Sequence, residues 1–153
     1  MNEQLISALK VLLADTVALK YKAQGYHWNV ESDDFKPWHE FFGEIYDNME
    51  DATDGFAEWI RMLDVNKYAP FKLSRFMELT TVPETDVSSD PMMMAQDLDT
   101  SIYMVTDKIV AAINMATANN QHGLANFLAD RQTAHQKFCW QLKASLKEEV
   151  ETD

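Results

Sequence analysis

The chain is 153 residues long and 46% apolar, with four glycines, four prolines and a formal net charge of −12. Such a chain is one globular domain, 1–153, with a real core, and it is not an intrinsically disordered one. The acidic balance argues against a surface for nucleic-acid phosphates and for cations as partners. The single cysteine, Cys139, excludes an intrachain disulfide and fits a reducing, cytoplasmic setting. Met1-Asn2-Glu3 lacks the basic start of a secretion signal, and no run approaches the ~18 apolar residues that span a bilayer, so no membrane association is expected.

Leu5, Leu9, Leu12, Leu13, Val17 and Leu19 recur at helical spacing and predict a first helix over 3–28. Asn29 to Lys36 reads as a polar loop. Pro37 suits the first turn of a second helix, whose apolar side carries Trp38, Phe41, Ile45, Met49, Ala52, Phe56 and Ile60 and which runs to about Leu63. Pro70 and Pro83 break the next stretch around a short helix at Ser74 to Leu79. Asp90-Pro91 reads as an N-cap plus first-turn proline. The third long helix then continues to about Ala118 on Ile102, Val105, Ile109, Ala112, Ile113 and Ala116. Asn119 to Gly123 is a turn, Leu124 to Lys147 a fourth long helix, and the acidic "EEVETD" a frayed tail. Four long helices with one long crossover between the second and third describe an all-α, ferritin-like four-helix bundle with a short extra helix in that crossover.

Glu40, Glu44, Asp47, Asp51, Asp54 and Glu58 follow one another at spacings of 4, 3, 4, 3 and 4, which lines six carboxylates along one face of the second helix. No lysine or arginine lies between Pro37 and Ile60. Like charges one turn apart cost a helix about 0.2–0.5 kcal/mol per pair, so the stripe calls for a cation unless it is simply a solvated face.

In "GYHWNVESDDFKPWHEFF", His27 closes the first helix and His39 opens the second, so an antiparallel pair makes them neighbours. Imidazole with carboxylate suits iron or zinc, but two histidines are an incomplete shell. Asp54 and Glu58 are one turn apart, yet Asp54 lies roughly 22 Å along the helix axis from His39. They share a metal only if a second copy of the helix runs antiparallel about a two-fold axis near Asp47-Asn48. That arrangement sets His27 and His39 of one chain against Asp54 and Glu58 of the other and yields two identical sites. A di-metal site inside one bundle needs Glu-x-x-His on two helices, and no glutamate precedes a histidine by three here; before His135 that position is Gln132. His135 itself reads as packed or surface, His122 as a turn residue, and Cys139 as a core thiol.

"HWNV" (27–30), "WHEFF" (38–42) and "DGFAE" (54–58), with "KLSRFMELT" (72–80) and "FCWQLKASL" (138–146), resemble the Dps family, the miniature ferritins named as DNA-binding proteins from starved cells. The resemblance spans nearly the whole chain. It implies a hollow dodecamer built from two-fold dimers that oxidises Fe(II), usually with hydrogen peroxide and otherwise dioxygen, and stores ferric mineral against oxidative damage. It implies His27, His39, Asp54 and Glu58 as ferroxidase ligands, Glu40 and Glu44 as mineral-nucleating acids, and Trp28 as a radical quencher beside its packing role.

The chain departs from that pattern in several places. Trp59 stands where the family commonly has arginine, and Gly55 weakens the second helix between the two acids. Asp130 is the only acid in the early fourth helix, where relatives line iron-entry pores. Neither terminus is lysine-rich, so strong direct DNA binding is not expected. A non-enzymatic shell with a structural or DNA-compacting role, its site weak or holding zinc, stays open as the alternative.

Overall fold

The computed structural model describes residues 2–147, and the tail "EEVETD" lies outside them. Among the described residues five helices follow in order: α1 (Asn2–Asn29), α2 (Phe35–Leu63), α3 (Leu73–Leu79), α4 (Pro91–Ala118) and α5 (His122–Leu146). α1 packs along α2 and α4 along α5; α1 also meets α4, α5 meets α2, and α3 lies on α1. This is the expected four-helix bundle with a short helix in its crossover.

Each long helix buries one stripe. In α2 it is Phe42, Ile45, Met49, Ala52, Phe56 and Ile60, and in α4 it is Met94, Leu98, Ile102, Val105, Ile109, Ala112 and Ala116. These 3- and 4-residue steps put every member on the core side. Asp90 caps α4 by accepting from the Met92 N–H at 3.0 Å, with Pro91 in the first turn. α2 starts two residues before Pro37. The proline is its third residue, still among the positions whose N–H has no intrahelical acceptor. α5 starts at His122 rather than Leu124. Asn120, at φ 59°, takes the left-handed turn that asparagine tolerates, and Gln121 N–H closes onto Ala116 C=O at 2.8 Å, so the helix restarts at once.

Two acids, Asp15 buried and Asp97 half-buried, pin the crossover. Asp15 of α1 accepts from Thr80 Oγ1 at 2.8 Å, Thr81 N at 2.6 Å and Thr81 Oγ1 at 2.8 Å. Asp97 of α4 accepts from Lys22 Nζ at 2.6 Å, from Thr85 Oγ1 at 3.1 Å and from the Tyr26 hydroxyl. Burial and the adjacent Asp97 carboxylate push the Tyr26 phenol up, so it remains a donor. The Asp97 network, through Lys22 and Tyr26, ties the end of α1 in place just before His27. Among the described residues no helix is long and apolar enough to cross a membrane.

Candidate metal centre

His27, two residues from the end of α1, and His39, in the second turn of α2, stack face to face with ring centroids 3.8 Å apart and planes 12° from parallel. His27 Nδ1 lies 2.5 Å from the His39 carbonyl oxygen, and His39 Nδ1 lies 2.6 Å from the His27 carbonyl oxygen. A carbonyl can only accept, so both Nδ1 atoms carry the proton and donate. In the neutral ring this tautomer puts the lone pair on Nε2, the form in which imidazole binds a metal, and a carbonyl behind the ring fixes its orientation. Phe35 stacks on the far side of His39 at 5.0 Å, and Tyr46 tilts against His27 at 5.3 Å.

The six acids of the α2 stripe are all exposed. Among the described residues none of them forms an ion pair; the salt bridges join Lys22–Asp97, Arg75–Glu78, Lys108–Asp15 and Lys143–Asp99. Arg61, one turn past Glu58, lies 4.8 Å over the Tyr68 ring and donates to the Val65 carbonyl at 3.1 Å instead.

The opposite side of α2 explains the two departures near Asp54 and Glu58. A Cβ on Gly55 would enter the Phe127 ring of α5, within 2.6 Å of Cζ. A Cβ on Gly123 of α5 would lie 3.1 Å from Trp59 Cη2. At both contacts glycine stands where an aromatic from one helix presses on the backbone of the other. These contacts turn Asp54 and Glu58 outward, and Trp59 serves as a packing residue.

Among the described residues no three His, Cys, Asp or Glu side chains of one chain converge on a common point. The structure brings His27 and His39 together and leaves Asp54 and Glu58 far down the same helix. Glu40 and Glu44 are exposed on α2, and Asp130 is exposed on α5. Trp28, beside the histidines, is 66% exposed. His122 is an exposed helix residue, and Cys139 is buried.

His135 is wholly buried: its Nδ1 lies 3.1 Å from Thr106 Oγ1 and its Nε2 has no partner among the described residues. Arg131, one turn earlier and also buried, directs a guanidinium nitrogen to Met49 Sδ at 3.5 Å. Burial and the Arg131 charge push the His135 imidazole down to about 3. Burial alone pulls Arg131 down to about 10, which leaves it cationic at neutral pH. Sequence reading missed Arg131, Gly43 and Tyr46. For the last two the signal was present: 39, 43 and 46 step by four and three along the face that meets His27.

Residues 6–149 match the ferritin-like domain family. The chain is 30% identical over 133 residues to the DNA protection during starvation protein of Halobacterium salinarum, covering 87% of this chain and 68% of that one. It is 27% identical to general stress protein 20U of Bacillus subtilis, covering 95% and 99%. The crystal structure of the Dps protein from Vibrio cholerae, described as one of the ferritin-like diiron-carboxylate proteins, superposes with a TM-score of 0.89 at 25% identity over 95% of this chain and 91% of that one. On its sequence and its fold alike, this chain belongs to the Dps branch of the ferritin-like family.

Proposed function

We propose that this protein binds, oxidises and stores iron at sites shared between two chains. The observation that carries the reading is the half-built centre. Two imidazoles are locked with Nε2 lone pairs available, and their own chain supplies no third ligand nearby among the described residues. Asp54 and Glu58 form the other half, exposed and without counter-charge. A two-fold partner running antiparallel along α2 joins the halves twice.

An assembly also accounts for apolar surface that a lone chain leaves in water. Tyr68 and Phe71 are 75% and 79% exposed beside Glu58, and with Ala57, Arg61 and Ala69 they line a shallow groove. The resemblance to the Dps family implies a twelve-chain shell, and a dodecamer of two-fold dimers is the proposed assembly.

Fe(II) and its oxidant are the substrates. Hydrogen peroxide takes one electron from each of two Fe(II) ions as its O–O bond breaks, giving two Fe(III) and two hydroxides; dioxygen is the alternative acceptor. The carboxylates favour the ferric product, and the small number of protein ligands leaves positions for water or oxidant. Glu40 and Glu44 are the acids for mineral nucleation, and exposed Trp28 is placed to give up an electron when oxidation misfires. Asp130 is the candidate acid of an entry route. A cytoplasmic setting fits the single, buried Cys139. Strong direct binding to DNA is not part of the reading, because twelve chains at −12 each repel phosphate.

The same His–carboxylate set also suits zinc. That keeps a competing reading: a shell with a structural or DNA-compacting role whose centre is zinc-filled. Anaerobic Fe(II) titration of the sized assembly, followed by peroxide, separates the two. Saturable binding and oxidation well above the protein-free rate support the ferroxidase. Oxidation at the protein-free rate supports the alternative.

A further inference from the structure

We infer that the acidic turn between α1 and α2 of one chain seats in the groove beside Glu58 of the other, with Arg61 of the groove facing Asp34 of the turn. The inference rests on the two-chain site proposed above and names the surface that closes around it.

The two-fold axis near Asp47-Asn48 that sets His39 against Asp54 and Glu58 fixes the rest of the register. Arg61 lies as far past that axis as Asp34 lies before it, so the two are level across the chain boundary. The side agrees as well. Arg61 follows Gly43 by eighteen residues, about five turns, and so lies on the edge of α2 that carries Gly43. A Cβ on Gly43 would lie 3.0 Å from the His27 ring, so that edge faces the end of α1, where the turn begins. A two-fold that exchanges antiparallel helices brings like edges together.

The charges match. In the turn the exposed acids Glu31, Asp33 and Asp34 outnumber Lys36, and around the groove the exposed bases Arg61, Lys67 and Lys72 outnumber Asp64. Among the described residues none of these side chains forms a salt bridge. Asp34 is the N-cap of α2 yet makes no side-chain cap bond. Its N–H donates to Ser32 Oγ at 3.1 Å, and Glu31 N–H donates to the Ser89 carbonyl at 2.9 Å, so the turn is fixed while its carboxylates stay unused. Arg61 is fixed too, over Tyr68 at 4.8 Å and on the Val65 carbonyl at 3.1 Å. A guanidinium has five N–H donors, and this one keeps most of them for a carboxylate. Phe35, 41% exposed, gives the turn an apolar edge for Tyr68 and Phe71 of the groove.

The test is charge reversal in the whole, metal-free protein: Arg61→Glu, Asp34→Lys and the two together. The readout is the protein concentration at which half the chains are assembled, from sedimentation velocity. Symmetry makes the contact twice per dimer, so each single reversal should raise that concentration about tenfold or more at low salt, and by less at about 0.5 M salt. The double variant should return to within about threefold of the parent, since its reversed charges still match. A double variant no better than the worse single one overturns the inference, because the two charges then never meet. So does Arg61→Glu that assembles within about twofold of the parent. Either result leaves the site reading intact where the assembled variant still binds Co(II) as the parent does. If both single variants fail to assemble, recovery in the double variant supports the inference and continued failure overturns it. A parent chain that stays single sinks the site reading itself, and this inference with it.

Discussion

The bundle interior and the outer face of α2 offer opposite chemistry to a cation. Inside, among the described residues, stand Asp15, Arg131 and a neutral His135. Asp15 is committed to Thr80 and Thr81, and His135 shares its surroundings with a guanidinium. Outside, six carboxylates run without a basic partner among the described residues along the helix whose start carries His39, itself stacked on His27. The two regions differ because a buried charge must be either paired or suppressed, whereas an exposed acid waits in water at little cost. On the proposed function the interior is for packing, and metal chemistry is left to the surface, where a second chain would complete it.

The largest expected effect sets the two regions against each other directly. His39→Ala or Glu58→Ala should each slow initial Fe(II) oxidation by about a hundredfold or more, since each removes a ligand of one composite centre. His135→Leu should leave that rate within about twofold. A collapse of oxidation in His135→Leu, measured by stopped-flow absorbance, would return the iron to the bundle interior.

Acid stability probes the interior alone. The folded His135 imidazole sits at about 3, far below the ~6.5 of an unfolded histidine. Its contribution is therefore fully present above about pH 6.5, where both states are neutral. It is lost as pH falls toward 3, because only the unfolded chain takes up the proton. The slope is up to ~1.4 kcal/mol per pH unit. Urea unfolding between pH 7 and 4.5 should show that slope, and His135→Leu should flatten it; identical slopes would mean the imidazole reaches a proton in the folded state.

A smaller effect tests what turns the acids outward. Gly55→Ala places a methyl group in the Phe127 ring. Overpacking costs about 1–3 kcal/mol, which outweighs the ~0.5–1 kcal/mol the helix gains. The melting temperature should fall, and Phe127→Leu should recover part of the loss. The smallest expected effect concerns the stripe: Glu40→Gln with Glu44→Gln should keep the initial oxidation rate within about twofold while lengthening the lag before mineral forms, followed by light scattering.

Much of this was legible in the residue pattern. Apolar stripes at helical spacing fixed every long helix, and Asp90-Pro91 marked its boundary because cap chemistry is local. Boundaries slipped at Pro37 and Leu124, where a third-position proline and the left-handed Asn120 allow earlier starts than the simplest rules. The neighbourhood of His27 and His39 followed from a short loop between antiparallel helices. What could not be read was complementarity between helices: Gly55 looks like a weakness until Phe127 lies against it, Trp59 like a lost ion pair until it lies on Gly123. The burial of Arg131 was equally hidden, since periodicity assigns a face but not which polar residue on it lacks an exit to water. The reciprocal imidazole–carbonyl bonds needed coordinates, because spacing places two rings near each other without orienting either.

Sharing of the site between chains is tested most directly by mixing two crippled subunits. His39→Ala and Glu58→Ala chains, co-expressed and assembled together, form mixed dimers in which one centre has lost both halves and the other is whole. Random pairing should restore oxidation to about a quarter of the unsubstituted rate, well above either variant alone. Mixed assemblies no more active than the two parents would mean that the histidines and the carboxylates never meet across a chain boundary.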